Sequence, residues 1–216
     1  MRTQLSEKYI NGYGIEIGAL HNPLIVKNGN VKYVDRKNNE MLRLDYPELN
    51  DLELVYVDIV DDGETLSTID NNILDFIICN HFIEHCQNPI GTIRNFLTKI
   101  KIGGIIYMAI PDKNFSFDID RELTNLEHLR LDDMDSSISK KIHYEEWLRY
   151  VCKFNDDAIE EKLESFIETG YSIHFHVWNS QSFIEFLNYC IELKLTFNIK
   201  ESIMNQTELI CILEKI

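Results

Sequence analysis

Short, nearly continuous runs of apolar residues recur along the first half of this 216-residue chain, and a small or polar residue closes each run. Runs of this kind predict strands that are buried on both faces of a parallel sheet. The predicted strands are residues 14–17, 31–34, 54–57, 76–79 and 105–110, closed by Gly18, Asp35, Asp58, Asn80 and Pro111-Asp112.

Helical patterns lie between these strands. The strongest covers residues 89–100, where Pro89 suits a first helical turn, the apolar residues share one face and Gly103-Gly104 follow the end. Two weaker helices are predicted at residues 38–44 and 65–69. Alternating strands and helices predict a Rossmann-like α/β fold with right-handed crossovers.

The alternation stops after Pro111, because residues 112–178 are rich in charged, histidine and aromatic side chains. We predict a single domain over residues 1–216, in which residues 112–178 form a helical lid inserted after the fifth strand. A helix at 180–193 and two strands at 197–203 and 209–213 follow, with a tight turn at Asn205-Gln206. The whole pattern predicts a seven-stranded, mostly parallel sheet with helices on both faces.

Charge and composition narrow the classes of function. Acidic residues outnumber basic ones by 36 to 21, and the formal net charge is −15. Nucleic-acid binding needs a basic surface, so we expect no nucleic-acid partner. No apolar run reaches the length of a membrane helix, the first residues are polar and the five cysteines are scattered, so we expect a cytoplasmic protein that contacts no membrane.

The closing residues of the strands predict where a cofactor would bind, because ligands of open α/β sheets bind at the carboxyl ends of the strands. Gly18 permits a tight turn after the first strand. Asp35 ends the next strand, where its carboxylate can accept both hydroxyls of an adenosine ribose. A dinucleotide loop needs three glycines around its pyrophosphate, whereas this loop has one. The residues therefore favour S-adenosylmethionine (SAM), which has no phosphate, over NAD.

Several motifs together resemble those of class I SAM-dependent methyltransferases. They are Glu16-Ile17-Gly18-Ala19-Leu20, the strand-end Asp35, Asp58, the run 80–85 (NHFIEH) and Gly103-Gly104. The sequence looks most like small bacterial type 11-like enzymes, and segments 110–113, 117–121, 143–147 and 174–178 share the likeness. Members of that subgroup are often associated with modifying the sugars of surface polysaccharides.

The resemblance implies a set of cofactor-binding residues. Glu16 and Gly18, Ala19 and Leu20 would line the methionine end of SAM, with Leu20 replacing the usual second glycine. Asp35 would hold the ribose, with Arg36 beside the adenine. The adenine would also meet Asp58 and Ile59, and the sulfonium would lie over Asn80 and His81.

Methyl transfer to a hydroxyl requires a base beside the methyl group. Candidates near the ends of strands four and five are His85, His81 and Asp112. We favour His85, because the pKa of histidine suits neutral pH and His81 is expected to pack against the cofactor. An alternative is that His85 simply caps or packs the start of the following helix.

The lid holds the candidate acceptor-binding residues, which are charged groups and histidines: Lys113, Asp118, Arg121, His128, His143, His174 and His176. In a strand, His174 and His176 would face the same side, where they could hold sugar hydroxyls, ligate a divalent metal or be buried with hydrogen bonds. No ligand spacing fixes a metal geometry, so we predict no metal site.

The leading interpretation is a SAM-dependent methyltransferase that O-methylates a sugar or nucleotide-activated sugar for capsule or surface polysaccharide. Alternatives are an amine, carboxylate or phosphate- or phosphoramidate-type oxygen as the acceptor, or an inactive SAM-fold partner subunit. An NAD-dependent oxidoreductase fits less well. The sequence leaves a homodimer open.

Overall fold

The seven strands form one sheet in a computed structural model that describes residues 1–216. Their order is β3-β2-β1-β4-β5-β7-β6, and β7 is the one strand that runs antiparallel to the other six. The strands are β1 (Gly12–Ile17), β2 (Gly29–Asp35), β3 (Ile59–Val60), β4 (Leu74–Asn80), β5 (Ile100–Pro111), β6 (Phe197–Asn205) and β7 (Glu208–Lys215). The predicted Rossmann-like, mostly parallel sheet is confirmed.

The helices are α1 (Arg2–Tyr9), α2 (Asn39–Asp45), α3 (Pro89–Lys99), α4 (Leu126–Asp135), α5 (Lys140–Tyr150), α6 (Asp156–Thr169) and α7 (Ser180–Glu192). Five of them, α2, α3, α4, α6 and α7, begin after an asparagine whose side chain accepts a backbone N–H of the first turn. Asn88 accepts a hydrogen bond from the backbone N–H of Gly91 at the start of α3, and Asn179 forms a capping box with Ser182 at α7. No helix is long and apolar enough to cross a membrane.

Three elements differ from the sequence-based prediction. The predicted strand at residues 54–57 is wrong, because the third strand is Ile59–Val60 and begins five residues further on. Residues 65–69 form turns rather than a helix. Helix α1 was not predicted, because its residues are mostly polar and only Leu5 and Ser6 are buried.

The largest core cluster joins one face of the sheet to α3 and α7. It contains 29 buried residues, among them Ile77 and Met108 of the sheet, Phe96 of α3 and Phe183 of α7. A cluster of ten buried residues, including Leu5 and Ile10, covers the other face. Each fully buried large apolar side chain contributes about 1.5–3 kcal/mol, so these two clusters dominate the stability of the sheet.

Helices α4, α5 and α6 form the predicted helical insertion after β5. The insertion has its own apolar cluster of seven buried residues, which joins α5, α6 and the segment before α7 through Trp147, Leu163 and Phe175. We call residues 112–178 the lid.

Candidate functional site

A cleft of about 590 Å³ lies between the carboxyl ends of the strands and the lid. The sheet side contributes Ile17, Gly18 and Asp35, which are at the ends of β1 and β2. The lid side contributes Tyr144 and Trp147 from α5. The cleft therefore lies where ligands of open α/β sheets bind.

The loop after β1 keeps a glycine-like path although it has one glycine. Gly18 has a φ of +64°, and nothing lies within 4 Å of the position that a Cβ would occupy there. Leu20 also has a positive φ of +50°. The leucine at the usual second-glycine position thus adopts the left-handed conformation, which is uncommon for a residue with a Cβ.

Glu16 stabilises this loop through its carboxylate and does not line the cleft. Its carboxylate accepts the backbone N–H of Leu24, with Oε1 at 2.9 Å and Oε2 at 3.1 Å. Burial raises the pKa of Glu16 to about 7. Ala19, between the two left-handed residues, is also outside the lining of the cleft, and its carbonyl accepts the N–H of Asn22.

Asp35 and Arg36 both line the cleft at the end of β2. One carboxylate oxygen of Asp35 accepts the backbone N–H of Arg36 at 2.7 Å. Burial raises the pKa of Asp35 to about 6. The carboxylate is therefore ionised at neutral pH, and its second oxygen can accept hydrogen bonds from a ligand.

The third strand ends at a different acidic residue from the predicted one. Asp58 and Ile59 do not line the cleft, because the carboxylate of Asp58 accepts hydrogen bonds from Lys32 Nζ at 2.6 Å and from the backbone of Tyr33 at 2.9 Å. Asp62, which follows β3, lines the cleft instead.

Asn80 and His81 follow β4 and have unusual environments. Both polar side-chain atoms of Asn80 are buried without a hydrogen-bond partner. His81 has a φ of +51° and lines the cleft, and its Nε2 lies 2.9 Å from Glu208 Oε2. Although burial opposes protonation, Glu208 and Glu84 raise the pKa of His81 to about 9. His81 is therefore an imidazolium at neutral pH.

His85 lines the cleft as a neutral ring. Burial lowers the pKa of His85 to about 4. Its Nδ1 lies 2.8 Å from the carbonyl oxygen of Ile173 and 3.2 Å from Ser172 Oγ. Since a carbonyl only accepts, Nδ1 carries the proton and Nε2 is a free acceptor.

His174 faces the cleft beside His85, and the two ring centroids are 4.7 Å apart. Its Nδ1 lies 2.6 Å from Asp118 Oδ2, and Asp118 Oδ1 accepts Arg121 Nη1 at 2.8 Å. Burial opposes ionisation, but His174 and Arg121 lower the pKa of Asp118. An ionised carboxylate thus holds His174 with its proton on Nδ1 and its Nε2 free.

Arg121 lies inside the lid and not in the cleft. Its guanidinium is fully buried and also contacts Glu146 at 2.8 Å and the carbonyl oxygen of His174 at 2.8 Å. Lys113, a second candidate for an acceptor phosphate, donates to the carbonyl oxygen of Arg121 and does not line the cleft. Neither basic group is available to a ligand in the cleft.

Asp112 also lies outside the cleft. Its carboxylate accepts Asn114 Nδ2 at 2.8 Å, the backbone N–H of Asn114 at 3.0 Å and the backbone N–H of Ser180 at 3.0 Å. It ties the end of β5 to the start of α7.

The expectation that His174 and His176 face the same side is wrong. Residues 171–176 form no strand, and the two rings contact different groups. His176 lies with His128, Asp132 and His143 inside the lid, and none of these four lines the cleft.

Residues that the sequence analysis did not assign also line the cleft. They are Tyr46, Asp62, Gly63, Glu64, Phe82, Gln87, Phe117, Lys140, Tyr144, Trp147, Gly170, Tyr171, Ser172 and Phe175. The pair Asp61-Asp62 before Gly63 is a sequence signal for a strand end, and placing the third strand at Ile59–Val60 would have pointed to this pair.

The cleft fits an adenosine-sulfonium cofactor. Gly18 leaves space for a close approach to the loop backbone, and Asp35 offers an acceptor at the end of β2. Asn80, which precedes the cleft residue His81, does not itself line the cleft, and its buried amide has no hydrogen-bond partner. Fold and cleft together define a SAM-dependent methyltransferase.

Comparison with known proteins establishes the family. Residues 4–163 match the family model described as a methyltransferase domain, so the chain belongs to the methyltransferase-domain family. S-adenosylmethionine is its cofactor. No curated protein matches the sequence.

Solved structures share the fold at low sequence identity. A protein from Pyrococcus horikoshii is 16% identical, with a TM-score of 0.52 over 99% of this chain and 87% of its own. A chain from the complex of the Haloferax volcanii Trm112 methyltransferase activator with a methyltransferase is 10% identical, with a TM-score of 0.51 over 94% and 82%. A Rhodobacter sphaeroides protein described as a zinc-dependent alcohol dehydrogenase is 12% identical, with a TM-score of 0.54 over 100% and 89%.

Proposed function

We propose that this enzyme methylates a hydroxyl group of a sugar or nucleotide-activated sugar, as in the synthesis of surface polysaccharides, and that His174 removes the proton of that hydroxyl. The observation that carries the proposal is the 2.6 Å contact between Asp118 and a histidine that faces the cleft. A carboxylate behind a histidine fixes its tautomer and stabilises the imidazolium that forms.

On the donor side, the residues at the strand ends hold the cofactor. Asp35 accepts the ribose hydroxyls, the loop from Gly18 to Leu20 approaches the methionine part, and Asn80 supplies the polar contact beneath the sulfonium. Asp62, rather than Asp58, is at the strand end where an acidic residue can accept from the adenine amine. When bound, SAM supplies a methyl group that is already activated for in-line displacement.

The proton is best removed by His174. Burial lowers the pKa of His85 to about 4, so that ring holds an abstracted proton only weakly at neutral pH. His174 differs from His85 because an ionised carboxylate, and not a carbonyl, receives its Nδ1 proton. We assign His174 as the base and His85 as a neutral hydrogen-bond acceptor that orients the hydroxyl.

His81 has a different role, because it already carries a proton at neutral pH. Its imidazolium is held between Glu208 and Glu84 and cannot accept a second proton. Its position beside Asn80 suits an interaction with the carboxylate of the methionine part.

The acceptor side of the cleft suits a sugar. Phe117 packs edge-on against Trp147 with ring centroids 5.4 Å apart, and its side chain is half-exposed to the cleft. Aromatic faces of this kind stack against sugar rings, while Gln87 and Ser172 offer hydrogen bonds. Lys140 lines the cleft without any hydrogen bond or ion pair inside the protein, and its charge suits the phosphates of an activated sugar.

An amine is the second candidate acceptor. A carboxylate or phosphate-type oxygen needs no proton removed before it attacks, so the Asp118–His174 pair favours acceptors that must lose a proton. A hydroxyl and an amine both meet this condition.

The test is methyl transfer from labelled SAM to a panel of nucleotide sugars, free sugars, small amines and carboxylic acids. We expect turnover with a sugar-containing acceptor that is lost in His174→Ala and kept in His21→Ala, which changes an exposed histidine outside the cleft. Turnover only with carboxylic acids would contradict the proposal.

A further inference from the structure

We propose that His128, Asp132, His143 and His176 form a metal site inside the lid that binds one divalent zinc ion. The four side chains come from three places in the chain: His128 and Asp132 from α4, His143 from α5, and His176 from the segment before α7. None of them lines the cleft, so this site is separate from the site of methyl transfer.

The geometry of the four ligand atoms matches four-coordinate zinc. Asp132 Oδ2 lies 3.2 Å from His128 Nε2, 3.7 Å from His143 Nε2 and 3.6 Å from His176 Nε2. The Nε2 atoms of His128 and His143 are 3.0 Å apart. Zinc–nitrogen bonds of about 2.0–2.1 Å in a tetrahedron place ligand atoms about 3.3 Å apart, which is the middle of this range.

The buried polar atoms of the cluster need a partner that the protein does not supply. Asp132 Oδ2 and both ring nitrogens of His176 are buried and make no hydrogen bond. The other carboxylate oxygen of Asp132 accepts a hydrogen bond from Ser139 Oγ, which aims Oδ2 at the three rings. Buried polar groups without a partner are destabilising, and a cation bound among them supplies the missing partner.

The ligand set identifies the class of metal and its role. Three imidazoles and one carboxylate in a tetrahedral arrangement favour zinc over magnesium or calcium, which prefer six or more oxygen ligands. Four protein ligands leave no open position, as in structural sites. The ion would join α4, α5 and the segment that carries His174 two residues before His176.

The experiment measures the metal content of the full-length protein, produced without a polyhistidine tag or chelator and desalted after exposure to zinc. Mass spectrometry of the elements is expected to find about one zinc ion per chain. His128→Gln and Asp132→Asn are expected to retain less than about 0.2 ions per chain, because each removes a ligand. His21→Gln, the matched control, and His85→Gln keep the metal.

His128 is the ligand best suited to substitution, because its side chain is 29% exposed and the other three are nearly or fully buried. Two measurements on the wild-type protein test the proposal even if a variant does not fold. Absorption at the zinc K edge is expected to show four nitrogen or oxygen ligands at about 2.0–2.1 Å and no sulfur. Removing the ion with a chelator is expected to lower the melting temperature by about 5 °C or more.

Three results would overturn the proposal. One is a wild-type protein that retains no divalent metal after exposure to zinc. Another is metal content equal to wild type in His128→Gln and Asp132→Asn. The third is loss of zinc from His85→Gln but not from His128→Gln, which would place the ion in the separate cluster of Glu84, His85 and His174.

Discussion

Asp118 Oδ2 lies 2.6 Å from His174 Nδ1, and the guanidinium of Arg121 contacts both the other oxygen of that carboxylate and the carbonyl oxygen of His174. All three residues are buried, and His174 is the one that lines the cleft. The lid therefore places His174 at the cleft, and Asp118 and Arg121 fix the tautomer and the orientation of its ring.

Replacing His174 by alanine is expected to lower kcat by about 10²–10⁴-fold, the usual contribution of a general base. The dissociation constant of S-adenosylhomocysteine, the demethylated product, should change by less than about twofold, because His174 is on the acceptor side. Steady-state kinetics measures the change in kcat, and calorimetry measures the dissociation constant of S-adenosylhomocysteine. Asp118→Asn should also lower kcat, since it removes the charge that stabilises the imidazolium.

The comparison with His85 decides between the two candidate bases. We expect His85→Ala to affect KM for the acceptor more than kcat, because the neutral ring orients the hydroxyl. Full loss of kcat in His85→Ala together with a normal kcat in His174→Ala would show that His85 is the base.

Cofactor affinity is expected to depend on pH through Asp35. The pKa of Asp35 is about 6, and the protonated carboxyl loses acceptor capacity for the ribose hydroxyls. Affinity for S-adenosylhomocysteine should therefore fall about tenfold between pH 7 and pH 5. Asp35→Asn should bind weakly at both pH values. Equal pH dependence in wild type and Asp35→Asn would exclude Asp35 as the titrating group.

Glu16 is expected to make the protein less stable as the pH rises. Its pKa is about 7 in the folded protein against an ordinary value of 4.5, so the folded state binds the proton more tightly. The stabilisation is complete below pH 4.5 and is lost as the pH rises through 7. The free energy of unfolding of wild type minus that of Glu16→Gln should fall by about 3 kcal/mol between pH 4.5 and pH 8. Urea denaturation at each pH measures these free energies of unfolding. A difference between the two proteins that does not change with pH would refute the raised pKa of Glu16.

Arg121 is expected to matter for stability rather than for acceptor affinity. Arg121→Met removes the buried cation that pairs with Asp118, which should cost about 3–5 kcal/mol of unfolding free energy. Arg130→Met removes a surface pair with Glu127 and should cost less than about 1 kcal/mol. An Arg121→Met protein of normal stability with a raised KM for a phosphorylated acceptor would instead support the role first inferred from the sequence.

The fold was predictable because its signals are local. Strands β1, β4 and β5 are nearly continuous apolar runs, and Pro89 marks the start of α3. The prediction of the third strand was wrong, because residues 54–57 are apolar for a reason other than strand formation. Leu54 and Val57 pack with Leu42 in a small cluster beneath α2, and the strand itself is only two residues long. Apolar runs report burial, and burial alone does not distinguish a strand from a packed loop.

The site residues at the ends of the strands could be predicted from the sequence, whereas the positions of the lid residues could not. Gly18, Asp35 and His81 lie at the carboxyl edge of the sheet, which topology fixes. The separation of His174 from His176 depends on an irregular segment, and no periodicity in the sequence describes it. Arg121 was assigned to an acceptor phosphate because sequence does not reveal that three partners inside the lid already surround its guanidinium.

Binding of S-adenosylhomocysteine, measured by isothermal titration calorimetry on wild type and Asp35→Ala at pH 7.5, tests the central claim most directly. We predict one site per chain in the wild type and a loss of affinity of at least about a hundredfold in the variant, because the ribose hydroxyls lose a charged acceptor. Absence of binding to the wild type, or equal affinity in the two proteins, would contradict the account.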